Sequence, residues 1–259
     1  MGALLRVMEG ALLAGLGAYM VALSRSSVYW QLLNPRYAWL TLAAGALIGA
    51  LGLAHLANRE RRGGIGEVLA LALFSGLALA AYAGPDAFSF ASSSGDYAPG
   101  SLTRTYDDLP EVRPTETLDG RTYIRINLAE LLAAEDGGLA GPGDLFAVQG
   151  AVLRAPDLDR EGYVAVGRLY VFCCFADAVG VVALVKVDDP ADYPTGTWVR
   201  VLGELREEAV LPGRAPQVPG SLSTARSDRF VIDARAVDET VPEGVPFILE
   251  VRPDRPFAY

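Results

Sequence analysis

Apolar residues crowd the N-terminal part of the chain in three long runs, Leu4–Leu23, Tyr37–Ala57 and Ile65–Ala83. A helix needs about 20 residues, and about 17 at the least, to cross the hydrocarbon layer of a bilayer. Each run is therefore predicted to be a transmembrane helix, making residues 1–84 a three-helix anchor. The first run also reads as a signal peptide, with Arg6 as its basic start and Ala22-Leu23-Ser24 as a cleavage site.

Past the third run the pattern breaks. Residues 85–120 are rich in Ser, Gly, Pro, Asp and Thr, as in SSSGDYAPGSL and DDLPEVRPTETLDG, and hold no sustained apolar period. Such composition reads as a linker, because it cannot bury enough surface to fold alone. From residue 121 an alternation with period two takes over. Ile124, Ile126 and Leu128 alternate with Tyr123, Arg125 and Asn127 before a short helical patch. Five strand-like runs follow: LFAVQGAVLRA, GYVAVGRLYVFCC, VGVVALVKV, TWVRVLGELREEAV and RFVIDARAVDETV, with DDPADYPTG as a turn or short helix between the third and fourth. LPGRAPQVPGSLSTARSD reads as a long loop before the fifth. This is the order of an OB-type barrel, with Gly150 and Gly203 as bends. The expected fold is membrane-anchored α plus all-β: three transmembrane helices, a linker, and a small OB-like β-barrel domain over 121–259.

Charge adds orientation and excludes one class. The formal net charge is −9, and Lys186 is the only lysine. Phosphate contacts need clusters of Lys or Arg, so no nucleic-acid partner is expected. Arg59, Arg61 and Arg62 in the second connection outweigh Arg25 and Arg36 in the first, which places the second connection and the N-terminus in the cytoplasm and the barrel domain outside. Tyr29, Trp30, Tyr37 and Trp39 suit an aromatic belt at the outer surface, and membrane lipid is the expected surrounding. Small residues at four-residue spacing (Gly10, Ala14, Ala18; Gly45, Gly49) fit close helix packing, within the chain or against a separate membrane subunit. Glu9, His55 and Glu67 fall near the cytoplasmic ends of the three runs and form a candidate intramembrane polar layer. The alternative is that each reaches the headgroups.

Candidate chemistry gathers in GRLYVFCCFADAVGVVALVKV. Cys173 and Cys174 are adjacent, with Asp177 three residues on. Thiolates with a carboxylate can hold zinc, and Cys173, Cys174 and Asp177 can converge at a strand-to-loop transition. No other cofactor is expected. Strand alternation would instead send the two thiols to opposite faces, and neighbouring Cα atoms about 3.8 Å apart fall below the usual disulfide range. Metal binding, a redox switch and a structural role for a buried cysteine all remain open, and Asp177 can also simply cap the turn. The single histidine, His55, lies in a predicted span, so no Ser/His/Asp constellation is available and no enzymatic activity is expected.

Two motifs carry a resemblance. R-x-x-V-x-C-C-x-A-D-A (Arg168, Val171, Cys173, Cys174, Ala176, Asp177, Ala178) and G-x-W-V-x-V-x-G-x-L (Gly196, Trp198, Val199, Val201, Gly203, Leu205) resemble the YcgQ-like bacterial membrane proteins. The outer-loop segment YWQLLNPRYAWL is similar as well. Gly180 and Val182 stand where family members often carry Pro and Gly. The resemblance implies a multi-pass protein of the bacterial inner membrane, an accessory subunit of a two-component permease complex with a multi-span permease-like partner. It supplies no catalytic residues.

Overall fold

The computed structural model describes residues 2–26, 29–57, 113–209, 211, 213–242 and 245–259, together with the isolated helical positions Leu69, Ala72, Leu73 and Gly76. The chain divides into two units, residues 1–89 and 90–259.

In the first unit, α1 (Gly2–Ser24) and α2 (Ala38–Ala57) form a helical hairpin. Leu4–Ser24 and Pro35–Ala57 are each long and apolar enough to cross a membrane. The third predicted span, Ile65–Ala83, lies outside the described residues except for its four helical positions. The two helices meet through small residues. A Cβ on Gly17 would lie 2.4 Å from the Gly49 nitrogen, and one on Gly52 would lie 2.5 Å from the Ala14 nitrogen. No side chain fits between backbones this close. In lipid, where apolar surface gains nothing by hiding from its surroundings, such contact supplies the packing that holds helices together. Leu40, Leu47, Leu51 and Leu53 stay exposed on α2. Between the helices Trp30 is buried, and the Tyr29 hydroxyl lies 2.7 Å from Thr41 Oγ1. Asn34 accepts from the Arg36 N–H and opens the 3-10 turn Pro35–Tyr37 that leads into α2.

The second unit holds nine strands among the described residues: β1 (Thr115–Leu118), β2 (Arg121–Arg125), β3 (Leu145–Leu153), β4 (Tyr163–Tyr170), β5 (Val179–Lys186), β6 (Trp198–Glu207), β7 (Ser223–Arg226), β8 (Phe230–Glu239) and β9 (Phe247–Ile248). Five close into a barrel. β3 pairs with β4, β4 with β5, β5 in parallel with β8, β8 with β6, and β6 back to β3. Interior positions are filled by β-branched residues, among them Val148, Val152, Val166, Val185, Val201 and Ile232. Burying each such side chain is worth about 1.5–3 kcal/mol before entropy is subtracted. Gly203 bends β6 as expected: the β6–β8 register shifts between Leu202 and Gly203, and a Cβ there would lie 2.4 Å from Ile232 Cγ2. A 3-10 turn, Pro190–Asp192, sits between the third and fourth barrel strands.

The extra strands extend this barrel. β1 and β2 form a hairpin whose turn residues, Asp119 and Gly120, both have positive φ (50° and 74°). Asp-Gly is the sequence that such a two-residue turn favours. Glu116 then meets Arg200 of β6 at 2.9 Å. β1 therefore lies inside the stretch whose composition reads as a linker. The long loop before β8 contains β7, which pairs in parallel with β5, and it lays the fully buried Val218 against Gly180.

Helix α3 (Leu128–Asp136) precedes the barrel and packs Leu128 and Leu131 into its core. Its start is a capping box: Asn127 Oδ1 accepts from the Ala129 and Glu130 N–H groups, and Glu130 Oε2 accepts from the Asn127 N–H. Glu130 Oε1 also accepts from the N–H groups of Arg252 (2.7 Å) and Ala258 (2.9 Å). The buried cap thus fastens the C-terminal segment to the domain. The short helix α4 (Pro156–Arg160) joins β3 to β4.

Candidate functional site

β4 ends at Tyr170, before the cysteines. Its expected continuation through Cys174 does not occur, so the strand alternation that would separate the thiols does not apply. Instead Cys174 has an extended backbone and leads into a 3-10 turn, Phe175–Asp177, before β5 begins. Asp177 organises this connection. Its Oδ1 accepts from the Phe172 N–H at 3.2 Å and its Oδ2 from the Cys173 N–H at 2.9 Å, while its own N–H donates to the Cys174 carbonyl. The carboxylate thereby folds the chain back so that both thiols face the same space.

The two sulfurs lie 3.6 Å apart, and one ligand atom from each of Cys173, Cys174 and Asp177 falls within 4.8 Å of the others. Both thiols are free, with Cys173 exposed and Cys174 half-buried. Zinc–thiolate bonds of about 2.3 Å in a tetrahedral arrangement place two sulfurs about 3.8 Å apart. The thiols therefore already have nearly the spacing of a tetrahedral edge, which makes the donor set a fit for zinc or a similar thiophilic cation. Three protein ligands leave a fourth position for water or a group from elsewhere.

The electrostatics set the protonation state of the turn. Hydrogen bonding to Asp177 and then to Cys174 pushes the Cys173 thiol up to about 12. Burial works against the Asp177 carboxylate. The Cys173 thiol and the N–H groups of Cys173, Cys174 and Phe172 outweigh it and hold the carboxyl below its ordinary range. Without a cation the thiol of Cys173 is protonated at neutral pH. A metal ion has to displace that proton.

The surroundings of this turn come from later in the chain, from β9 and the loop that leads into β7. Phe247 of β9 packs edge-on against Phe175, with ring centroids 4.8 Å apart. β9 pairs in parallel with the end of β4, and the Val171 N–H donates to the Ile248 carbonyl. On the other side the Leu222 N–H donates to the Ala178 carbonyl. The sequence reading missed this buttress, although the apolar run Phe247-Ile248-Leu249 near the C-terminus is a strand signal.

In the first unit, Glu9 and His55 do come together: Glu9 Oε2 lies 2.9 Å from His55 Nε2, with Glu9 buried between the helices. The third member of the expected polar layer, Glu67, lies outside the described residues.

Residues 143–220 match the family described as the DUF1980 C-terminal domain. The matched span starts just before β3, contains the whole thiol turn and ends in the loop before β7. No curated protein matches the chain.

Proposed function

We propose that this protein is a membrane-anchored, non-enzymatic metal-binding module, whose barrel holds zinc or a similar thiophilic cation at Cys173, Cys174 and Asp177. The observation that carries the reading is the convergence of the three ligand atoms within 4.8 Å at a strand end, with the sulfurs 3.6 Å apart. Asp177 serves twice, as a ligand and as the group whose backbone bonds shape the turn. An exposed, three-ligand site suits a cation that is taken up and passed on better than one locked in for stability, since structural zinc sites are generally closed by four protein ligands. The pairing order of the five barrel strands supports an OB-type reading, and the thiol turn joins the second and third of them, the strands whose face such barrels use for binding.

The reading has a direct pH consequence. Because the Cys173 proton leaves when the cation binds, apparent affinity should rise by at least about tenfold per pH unit over the neutral range. Zinc competition against a chromophoric chelator at pH 6, 7 and 8 measures this. A flat profile would mean that no thiol proton is displaced.

A second reading concerns the setting. The resemblance to YcgQ-like proteins and the two helices long and apolar enough to cross a membrane support an accessory subunit docked beside a multi-span permease-like partner in the bacterial inner membrane, with the barrel outside the cytoplasm. Purification of the full chain in mild detergent should bring down a stoichiometric multi-span protein. Its repeated absence would leave the metal-binding module working alone.

A further inference from the structure

Arg168 is a buried cation that no carboxylate pairs with among the described residues. It is 2% exposed, and its guanidinium donates to three main-chain carbonyls in a row: Nη2 to Val245 at 3.0 Å and to Phe247 at 3.3 Å, and Nε to Pro246 at 3.4 Å. Burial pulls its pKa down to about 10, still charged at neutral pH. The Trp198 ring lies 5.5 Å from the guanidinium carbon, and with the three carbonyls it offsets the several kcal/mol that burying a charge costs. The carbonyls that it holds belong to the segment that enters β9. β9 lies alongside Leu169 and Tyr170, the last residues of β4, and its Phe247 ring meets Phe175, between Cys174 and Asp177.

We infer that Arg168 and the segment Val245–Ile248 form a clamp that sets the thiol turn in its metal-receiving geometry, with Arg168 and Phe247 as positioning residues rather than ligands. The inference rests on the metal-binding reading of that turn. The chain of contacts is short: Arg168 fixes the carbonyls of 245–247, the backbone places Phe247, and the Phe247 ring fixes Phe175. Asp177 ties the other end of the turn to Phe172 and Cys173. Held from both ends, the turn keeps the two sulfurs at the separation a tetrahedral ion needs and loses little freedom when the ion arrives. A lysine cannot replace Arg168, because one compact ammonium does not present a planar fork to three carbonyls. A tyrosine can replace Phe247, because it keeps the ring.

The test uses the full chain in detergent and two readouts. Amide hydrogen exchange of residues 172–177 in metal-free protein reports the clamp, and cobalt(II) affinity reports the site. Phe247→Ala should speed exchange of 172–177 at least about tenfold and weaken cobalt binding about 10–100-fold, the range for groups that orient metal ligands. Arg168→Lys should do the same. Phe247→Tyr should leave both readouts at wild-type values. Leu131→Ala, a core change in α3, controls for general destabilisation and should leave exchange of 172–177 and cobalt affinity close to wild type. Unchanged exchange in Phe247→Ala, or equal losses in Leu131→Ala, would overturn the clamp and leave the metal reading standing. Faster exchange in Phe247→Ala beside a wild-type protein that binds no cobalt would overturn the metal reading, and the clamp's role with it.

Discussion

Replacing either Cys173 or Cys174 by serine should lower zinc affinity by at least about a hundredfold, and replacing both should abolish binding. The size follows from the donor count. With three protein ligands, each thiolate is a large share of the binding free energy, and a neutral hydroxyl is a poor substitute for a soft anion. Asp177→Asn should be milder in charge but wider in effect. The amide keeps one oxygen to accept from a backbone N–H, yet its NH2 would face the other donor, so the turn itself loosens. We expect about 10–100-fold weaker binding with Asp177→Asn, together with faster alkylation of both thiols in the metal-free protein. The pattern separates a site from a pair of structural cysteines. Structural cysteines would show their loss in thermal stability, whereas Cys173 is exposed and its replacement should leave the melting temperature unchanged.

Glu130→Ala should be the most damaging single change to the fold of the second unit. Two backbone N–H groups, of Arg252 and Ala258, lose their acceptor at once, and the Asn127 N–H keeps only the Ala258 carbonyl, in a region where Glu130 is 1% exposed. Unsatisfied buried donors and a lost cap together should cost about 2–4 kcal/mol. For a domain of this size that lowers the melting temperature by about 5–15 °C, read by near-UV circular dichroism. The same residue sets a pH dependence. Burial pushes the Glu130 carboxyl up to about 7 against the pull of its N–H donors, and burial does the same to Glu135. An acid whose folded pKa is raised contributes stability that is fully present below its ordinary value near 4.5 and lost as pH rises through about 7. Wild type should therefore melt lower at pH 8 than at pH 5.5 by these two groups, and Glu130→Gln should flatten part of that slope. A melting temperature in Glu130→Ala within about 2 °C of wild type would contradict the role given to this cap.

Periodicity made the scaffold readable and left the site only half readable. The barrel strands stand where β-branched alternation placed them, and Gly203 bends β6, because interior and exterior positions of a barrel strand differ so strongly in composition. Of the small residues at four-residue spacing, Gly10, Ala14, Gly45 and Gly49 lie in the contact between α1 and α2. Composition, however, averaged away the Asp119-Gly120 hairpin inside a polar stretch, although two residues suffice to turn a chain. The apolar run VFCC continued the pattern of β4 past its true end, and alternation then put the thiols on opposite faces. Asp177 decided otherwise: its two bonds to the Phe172 and Cys173 amides end the strand and turn both sulfurs to one side. β9 and its contact with Phe175 depend on residues about seventy positions apart in the chain, a distance over which no local period carries information. The bonds from Arg168 to the carbonyls of residues 245–247 were hidden for the same reason.

Cys173, Cys174 and Asp177 are proposed to bind a thiophilic cation together. Titration of the full chain with cobalt(II), followed through thiolate-to-metal charge transfer in the near ultraviolet, tests it most directly. The band should saturate at about one ion per chain, be displaced by zinc, and vanish in the Cys173→Ser, Cys174→Ser double variant. Absence of the band in wild type, or a band of equal strength in the double variant, would contradict it.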